Sequence, residues 1–355
     1  MIEITTTMLF LMSICSIGDI LFKSSLKKYI QYLLFIWCII LIFIAGLRVD
    51  TADYKAYVNL FNWTPDIIDI IMNNQWDFFI STREEIGYLL LNSLVKLFTD
   101  ESSFLFLIVA TISISLYYKC IKAYAIYPLI SLLIYFSFIY CVKELAQIRQ
   151  GIAIAIFLYS LRYLIDNNFK KFILCIWLAS CFHLSIWAMI FIYPLRKIKI
   201  NTINIFIFFM MSLLIGLFDI ANNIIINLFS DFEIMQRVAV YLNSEFLDNS
   251  NLYRLYKYLM IFLFLGMFNK ILRKEYRYYD LMMVILGYGL FIMSIWSKYP
   301  FFGERFAAPC WISLIFLLPL IIELSNNKIY KMIITLLIIG LAINSYISNL
   351  GLISG

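Results

Sequence analysis

The sequence predicts an all-α polytopic membrane protein, and three observations support this fold class. Of its 355 residues 63% are apolar and 14% are charged, whereas soluble domains average about 45–50% apolar and about 25% charged residues. Too few polar side chains remain to cover a soluble globule of this size. Apolar runs of about 20 residues, the length of a helix that crosses a bilayer, recur along the chain. These runs lack β-barrel alternation, so helices are expected to satisfy the backbone in lipid.

Eleven apolar runs are expected to form helices in the membrane. A shorter piece, 86–98, is expected to lie in the interface or to re-enter, which gives about 11–13 transmembrane or re-entrant helices. No Gly/Ser-rich or Pro-rich linker divides the chain, so residues 1–355 are predicted to form one domain. The runs are 4–22, 29–47, 103–118, 126–142, 147–164, 172–195, 201–219, 257–272, 281–297, 306–323 and 329–346.

The distribution of charge predicts the orientation. Seventeen of the 28 Lys and Arg residues lie in six loops that contain few acids. Cytoplasmic loops of membrane proteins are enriched in Lys and Arg, so these six are predicted to face the cytoplasm. The acid-rich stretches 48–85, 143–149, 220–256 and 298–305 then face the opposite side. The basic loops carry Lys23, Lys27 and Lys28; Lys119 and Lys122; Arg162, Lys170 and Lys171; Arg196, Lys197 and Lys199; Lys270, Arg273, Lys274 and Arg277; and Lys328 and Lys331.

This orientation puts both ends of the run 172–195 on the cytoplasmic side. Its 24 residues are too few for two full spans, so a broken or re-entrant pair is predicted. His183 and Ser185 lie near the middle of the run, where such a pair would turn. The alternative is one long tilted helix beside a misassigned basic loop.

The outer stretch 48–85 begins with Arg48, Asp53 and Tyr54, directly after the second apolar run. Thr64-Pro65-Asp66 predicts an N-cap at Thr64, a proline at the first helical position and an acid in the first turn of a short amphipathic helix on the membrane surface. The sequence 81–84, Ser-Thr-Arg-Glu, predicts a capping box before the helix at 86, which would explain Glu84. Glu85 has no capping role and is therefore a candidate site residue, although a solvated loop acid is the alternative.

A second polar cluster contains Lys143, Glu144, Gln147, Arg149 and Gln150, between two long apolar runs. A charge at membrane depth costs roughly 2.5–3.5 kcal/mol even on the insertion scale. These charges are therefore expected to pair with one another or to face water. An ordinary polar turn whose side chains reach the interface is the alternative.

His183 is the only histidine, so a His-rich metal centre is excluded, and the seven cysteines form no C-x-x-C pair. A lone intramembrane histidine either packs between helices or serves a site, and its predicted apex position supports the second interpretation. Arg48, Arg149 and Arg305 are predicted to lie near span ends on the same outer side. Their guanidinium groups match phosphate or pyrophosphate oxygens in a bidentate manner. The absence of a Walker loop argues against ATP-driven chemistry.

Five segments together resemble the EpsG family of bacterial polysaccharide polymerases, which is grouped with the Wzy-type O-antigen polymerases. They occur in the family's order between residues 46 and 306. The segments are GLRVDTADY at 46–54 followed by Tyr57, EIGY at 85–88 followed by Asn92, IRQGIA at 148–153, ASCFHLS at 179–185 and ERF at 304–306.

The resemblance implies a GT-C-like polymerase architecture and a metal-independent glycosyltransferase without a cofactor. Such an enzyme would lie in the bacterial inner membrane, with its active site facing the periplasm. It would join undecaprenyl-pyrophosphate-linked oligosaccharide repeat units for O-antigen (lipopolysaccharide), capsule or exopolysaccharide. The expected partners are the lipid-linked donor and acceptor, the lipid bilayer and a chain-length regulator protein, with no nucleic acid.

The chemistry that the resemblance implies assigns expected roles to eight residues. Arg149 and Arg305 would stabilise the pyrophosphate leaving group electrostatically. Either His183 or Glu85 would accept the proton of the acceptor hydroxyl. The remaining expected substrate-binding residues are Arg48, Asp53, Tyr54 and Gln150.

Two other classes of membrane protein remain open at this point. A flippase or another transporter would also carry arginines in a membrane cavity, but repeat-related halves and charges spread through the spans would be expected. An O-antigen ligase would use the same donor with a different acceptor, and an acyltransferase would be a related alternative.

Overall fold

The computed structural model describes residues 1–21, 27–82, 84–218, 250–297 and 300–353. Lys23, Arg83, most of the predicted loop 220–256 and residues 298–299 lie outside the described residues. Contacts divide the chain into two compact units, Met1–Tyr193 with Leu318–Gly355, and Pro194–Leu317. That residues 1–355 form a single domain remains a prediction.

The described secondary structure is entirely helical, which confirms the all-α polytopic fold class. In the first unit the N-terminal helices up to the polar connection are α1 (Ile2–Leu21), α2 (Lys27–Gly46), α3 (Tyr54–Trp63), α4 (Ile67–Met72), α5 (Asp77–Ser81), α6 (Ile86–Val95), α7 (Ser102–Tyr124), α8 (Pro128–Tyr135), a π-helix (Phe136–Tyr140) and α9 (Cys141–Lys143). The unit continues with α10 (Ile148–Ile165), α11 (Phe169–Ser180), a 3₁₀ helix (Leu184–Phe191) and α12 (Ile192–Leu195), which runs into the second unit.

The second unit contains α13 (Thr202–Phe218), α14 (Ser250–Met267), α15 (Asn269–Glu275), α16 (Tyr279–Ile295), α17 (Pro300–Ala307) and a 3₁₀ helix (Ala308–Ser313). The chain then returns to the first unit through α18 (Leu314–Leu320), a 3₁₀ helix (Ile321–Leu324), α19 (Lys328–Ser348) and α20 (Leu350–Ile353).

Within the described residues, six helical stretches are long and apolar enough to cross a membrane, or seven if one bent pair is a single span. One of the six is the continuous stretch Phe302–Leu324, which runs from α17 to the 3₁₀ helix after α18. The bent pair is α14 and α15, which meet at 79° beside Phe268. The sequence predicted one continuous helix over 257–272, and this detail is wrong. The other predicted runs correspond to these long helices or to shorter apolar helices, and the piece 86–98 forms α6.

The first unit is held together by packing of its long apolar helices. Helix α7 packs against α2 and α10, and α10 packs against α11. Helix α1 packs against α8 and α19. The hydroxyl of Tyr346 on α19 lies 2.7 Å from Thr5 Oγ1 and 2.8 Å from Thr6 Oγ1 on α1. These hydroxyls hydrogen-bond each other between two apolar helices.

The segment from α11 to α12 turns back on itself, as the charge pattern predicted. Helix α11 ends at Ser180, and residues 181–183 are not helical. The returning end brings the Tyr193 ring to 4.7 Å from the Phe169 ring, and the Tyr193 hydroxyl donates to the Asn167 carbonyl at 3.0 Å. The two ends of the segment are therefore neighbours, and His183 lies at its turn.

Candidate functional site

The centre of the candidate site is an arginine between two adjacent carboxylates. Arg149, in the first turn of α10, forms ion pairs with Glu84 and Glu85, and both carboxylates contact the same nitrogen, Nη1. The Glu85 contact is 2.5 Å long. The side chains of Arg149 and Glu85 are 25% and 17% exposed, so the pair is only partly accessible to solvent. Burial raises the pKa of Glu85, and the positive charge of Arg149 partly opposes this effect.

Two tyrosines line the other side of this arginine. The Arg149 guanidinium carbon lies 5.7 Å from the Tyr57 ring centroid and 6.0 Å from the Tyr88 ring centroid. The two rings meet edge to face at 5.7 Å, and both side chains are buried. Aromatic faces attract a guanidinium group and restrict its orientation. The two rings and a hydrogen bond with Tyr57 therefore restrict the Arg149 side chain in addition to its two ion pairs.

A second guanidinium group is more deeply buried. Arg48, 2% exposed, donates through Nη1 to the Ala45 carbonyl at 2.8 Å, and its guanidinium carbon lies 4.0 Å from the Phe106 ring centroid. In the described part of the chain, its Nε and Nη2 have no hydrogen-bond partner. Burial lowers the pKa of Arg48, while nearby Tyr88 and Tyr57 raise it. A buried donor without a partner costs about 1–3 kcal/mol or more, so this group is suited to an added acceptor.

Glu144 places a buried carboxyl group next to the same region. It follows α9 and accepts a hydrogen bond from Ser113 at 2.5 Å and another from Tyr135 at 3.3 Å, both at Oε1. Among the described residues its Oε2 has no partner. Burial raises the pKa of Glu144 to about 7, and the two hydrogen bonds and Arg48 oppose the increase.

A chain of hydrogen bonds leads from the polar connection to the histidine. The buried Lys143 ammonium group donates to the side-chain oxygen of Gln147 and to that of Gln150, each at 2.5 Å. Gln150 Nε2 donates to Ser185 Oγ at 3.3 Å, and this oxygen lies 2.8 Å from His183 Nδ1. The charged residues of 143–150 therefore pair with neighbouring groups, as the cost of burying them predicted.

Two glycines allow these elements to come into direct contact. A Cβ atom at Gly87 would lie 2.7 Å from the carbonyl oxygen of Cys181, and the Gly87 N–H donates to this oxygen at 2.8 Å. A Cβ atom at Gly151 would collide with the carbonyl oxygen of Lys143. The start of α6 is thereby fixed to the turn at His183, and the start of α10 is fixed to the end of α9.

The other predicted residues of the first unit lie at the edge of this cluster. Asp53 is exposed, precedes α3 and makes no capping hydrogen bond with its side chain. The Tyr54 ring lies 5.7 Å from Phe106, the ring that also contacts Arg48. The hydroxyl of Thr51 donates to the Leu145 carbonyl at 2.7 Å and joins this loop to the 144–147 connection.

Arg305 belongs to the second unit. It lies in α17, where it is half-buried, and neighbouring Glu304 accepts a hydrogen bond from the Trp311 indole at 3.3 Å. Its expected role toward the pyrophosphate remains a prediction.

The structure corrects two predictions about helix caps. Asp66, rather than Thr64, caps α4, because its carboxylate accepts the Asp69 N–H at 2.8 Å. The capping box at 81–84 does not form: α6 begins after Glu85 without a side-chain cap. Glu84 instead pairs with Arg149, so the explanation that removed it from the candidate residues is wrong.

Sequence reasoning missed several residues of the cluster. Glu84 was assigned to a cap, although two adjacent acids before an apolar helix are themselves a signal of a charged partner elsewhere. Lys143 and Glu144 were recognised as costly charges but received no role. Tyr57 and Ser185 are neutral and common, and only their contacts with Arg149 and His183 distinguish them.

The cluster joins groups suited to acid–base chemistry and anion binding. It contains a carboxylate with a raised pKa, two guanidinium groups and an oriented imidazole within one unit. These groups can accept a proton from a hydroxyl and can stabilise negative charge on phosphate oxygens.

Comparison with known proteins identifies the chain. The EpsG family model matches residues 31–352, which include all the segments of the cluster. Comparisons with curated proteins and with solved structures gave no match. The family is associated with polysaccharide polymerase-like membrane proteins. Because its model covers nearly the entire sequence, the chain belongs to the EpsG family.

Proposed function

We propose that this protein is a polysaccharide polymerase of the bacterial inner membrane. It joins undecaprenyl-pyrophosphate-linked oligosaccharide repeat units at the periplasmic face, with no metal ion or other cofactor. The observation that carries the proposal is the Arg149 group with Glu84 and Glu85, in a member of a family associated with polysaccharide synthesis. A chain-length regulator protein is a further proposed partner.

The proposed reaction is a displacement at the anomeric carbon of the donor glycan. The acceptor hydroxyl oxygen forms a bond to C1, and the bond between C1 and the pyrophosphate oxygen breaks. The hydroxyl proton passes to Glu85, and undecaprenyl pyrophosphate leaves with the bonding electron pair. Glu85 is suited to this task because burial raises its pKa toward neutrality, which makes it a stronger base than an exposed carboxylate.

Arg149 has two functions in this proposal. Its Nη1 holds both carboxylates, whereas neither Nε nor Nη2 has an ion-pair partner in the described chain. Tyr57 also hydrogen-bonds this guanidinium group, so the leaving pyrophosphate would contact the N–H groups that the two carboxylates and Tyr57 do not use. The same side chain would hold the base near the acceptor and stabilise the negative charge that develops on the donor.

Arg48 is proposed to bind a further phosphate oxygen or a sugar hydroxyl. Its two guanidinium nitrogens without a partner are already desolvated, so an added acceptor would form strong hydrogen bonds there. Its contact with Phe106 fixes the plane of the group before the substrate arrives. Asp53 and Tyr54 are proposed to contribute to the surrounding sugar site, Gln150 to support that site through its hydrogen bond to Ser185, and Arg305 to contact pyrophosphate.

A gene deletion in the source bacterium, complemented with the wild-type gene, tests the proposed function. Loss of a polymerase is expected to leave surface glycans that are one repeat unit long. A flippase would instead trap lipid-linked units on the cytoplasmic side, and loss of a ligase would leave long glycan on the lipid carrier. Either of these two patterns would overturn the proposal.

A further inference from the structure

Lys143 determines which atoms donate and which accept in the hydrogen bonds that lead to His183. An ammonium group has three N–H donors and no acceptor. Gln150, at 2.5 Å, must therefore present its carbonyl oxygen to Lys143, and its NH₂ group must be directed to the other side. The buried position of both side chains makes a reversed amide costly, because it would place N–H groups against the ammonium group.

The direction continues from Gln150 to the imidazole. The Gln150 NH₂ group donates to Ser185 Oγ at 3.3 Å, so this oxygen acts as an acceptor on that side. The Ser185 hydroxyl proton is then directed to His183 Nδ1, which is 2.8 Å away. The backbone N–H of Ser185 also donates to Nδ1, at 3.4 Å. Two donors meet at Nδ1, which must therefore carry a lone pair, and the proton of the neutral ring lies on Nε2.

We propose that Lys143, Gln150 and Ser185 are positioning residues that hold His183 in the tautomer with its proton on Nε2. The ring then acts as a hydrogen-bond donor to a phosphate oxygen of the lipid-linked substrate, and it is not the acceptor-side base. This assignment rests on the proposed function. A neutral ring has one lone pair, and here Ser185 occupies it, so Nε2 cannot accept a proton from the acceptor hydroxyl.

The tautomer can be measured directly, because His183 is the only histidine in the chain. The protein would be labelled with ¹⁵N-histidine, purified through a tag without histidine, and studied by NMR in lipid bilayers. The pH would be set where titration of the same signal finds the ring neutral. We expect a protonated Nε2 and an unprotonated Nδ1. A proton on Nδ1 in the wild-type protein would overturn the proposal, without dependence on any variant.

Variants test the positioning residues separately. Ser185→Ala removes one of the two donors to Nδ1, and Lys143→Met removes the group that orients the Gln150 amide, so each should raise the population of the tautomer with its proton on Nδ1. Ser185→Ala should also slow polymerisation roughly three- to tenfold, the value of one hydrogen bond. Ser185→Thr keeps a hydroxyl group and should restore the wild-type spectrum. Ser160→Ala is the matched control, since within the described part of the chain its hydroxyl bonds only to the Phe157 carbonyl of its own helix. An unchanged tautomer in both Ser185→Ala and Lys143→Met would overturn the proposed relay.

Two substitutions of His183 test the donor role. Glutamine can place an amide NH₂ near the position of Nε2, whereas asparagine reaches only the position of Nδ1. His183→Gln should therefore retain more polymerisation than His183→Asn, and equal loss in both would contradict donation from Nε2. A spectrum with Nε2 protonated, together with full-length glycan after gene deletion, would retain the tautomer and reject the proposed function. A proton on Nδ1, together with glycans one repeat unit long after gene deletion, would reject the tautomer and retain the proposed function.

Discussion

Arg149 pairs with both carboxylates through one nitrogen, Nη1, and its planar guanidinium group lies beside two aromatic rings. A lysine ammonium group keeps the charge but presents no second edge for pyrophosphate and stacks poorly on Tyr57. We expect Arg149→Lys to polymerise within about tenfold of Arg149→Ala, both about 10²–10³ below wild type. Quantified glycan ladders from complemented cells check this expectation. Full-length glycan in Arg149→Lys would reject bidentate recognition, and Arg305→Lys applies the same test to the second unit.

The two adjacent acids provide a matched pair of variants. Glu85 is 17% exposed and Glu84 is 35% exposed, although both contact the same nitrogen of Arg149. Glu85→Gln should lower the rate about 10²–10⁴-fold, the usual value of a general base, and Glu84→Gln should lower it less than about tenfold. Because the pKa of Glu85 is raised, the rate should decline at a higher pH on acidification than an exposed carboxylate would cause. Equal losses in the two variants would contradict the assignment of the base.

The raised pKa of Glu144 leads us to expect that the stability of the protein depends on pH. Its pKa is raised to about 7 in the folded protein, so the folded state binds a proton more tightly than the unfolded state does. The resulting stabilisation is fully present below the ordinary carboxyl pKa and is lost as pH rises toward 7. Its upper limit is about 3 kcal/mol at 1.36 kcal/mol per pKa unit. Glu144→Gln should remove this part of the pH dependence of Tm, measured in detergent. Parallel plots of Tm against pH for the wild-type protein and the variant would contradict the assignment to Glu144.

At the residue scale, the sequence was sufficient where burial cost alone decides the outcome. Lys143, Arg149 and their neighbours had to find partners near the membrane, and they do. The identity of those partners was not predictable, because Glu84 lies 65 residues from Arg149 along the chain. The Glu84 carboxylate could serve either a local cap or a distant ion pair. In the folded chain the ion pair occurs together with the contact of α6 with the Cys181 carbonyl, which the local sequence does not reveal.

At the scale of helices, the site depends on close contacts between their ends. The start of α6 touches the turn at Cys181, and the start of α10 touches the end of α9. The π-helix over Phe136–Tyr140 precedes α9 and is fully buried. Single turns of this type commonly occur at functional sites, and this one directly precedes the polar connection.

Gly87→Ala tests whether this contact positions the site. Its Cβ atom would lie 2.7 Å from the Cys181 carbonyl oxygen and 2.8 Å from the Cys181 side chain, so α6 or the turn must move. Overpacking of this type typically costs about 1–3 kcal/mol, and we expect a lower Tm together with shorter glycans. Gly340→Ala is the control, since nothing lies within 4 Å of its added Cβ atom. Gly340→Ala should be neutral or stabilising by about 0.5–1 kcal/mol. Equal effects of the two substitutions would show that the contact at Gly87 does not position the site.

Element boundaries were predictable where a charge or an apolar run ended, and less so within a run. The turn near His183 followed from the basic loops on both sides of 172–195. The bend beside Phe268 did not, because residues 257–272 contain no Pro and remain apolar up to Asn269. The backbone leaves helical geometry at Phe268, between α14 and α15, and the composition of the run does not reveal this.

At the scale of the whole molecule, the segments that the charge pattern assigns to opposite sides make separate sets of contacts inside the first unit. Segments predicted for the outer side meet around Arg149. Segments predicted for the cytoplasmic side meet separately: Glu323 contacts Lys331 at 2.7 Å and accepts the Tyr127 hydroxyl at 2.8 Å. The side of the membrane on which each group lies remains a prediction.

Cysteine labelling with an impermeant reagent determines that side. Asn59→Cys should react in intact spheroplasts, whereas Lys197→Cys and Lys274→Cys should react only after permeabilisation, because basic loops remain in the cytoplasm. All three positions are exposed, so access within the protein does not limit the reaction. A protein without its seven native cysteines supplies the background. Labelling at 274 without labelling at 59 would reverse the orientation and place the cluster in the cytoplasm.

The hydrogen bonds between Thr5, Thr6 and Tyr346 set a delay in biosynthesis. Thr5 and Tyr346 are separated by 341 positions, and the entire second unit lies between them in the sequence. At about 5–20 residues per second, the ribosome supplies Tyr346 roughly 20–70 s after the threonines. During that interval the partners that α1 itself offers the Thr5 hydroxyl are the Met1 and Ile2 carbonyls. The first unit is therefore the first to be synthesised and the last to be completed. Its helix α1 obtains the Tyr346 hydroxyl as a partner only after the second unit has been made.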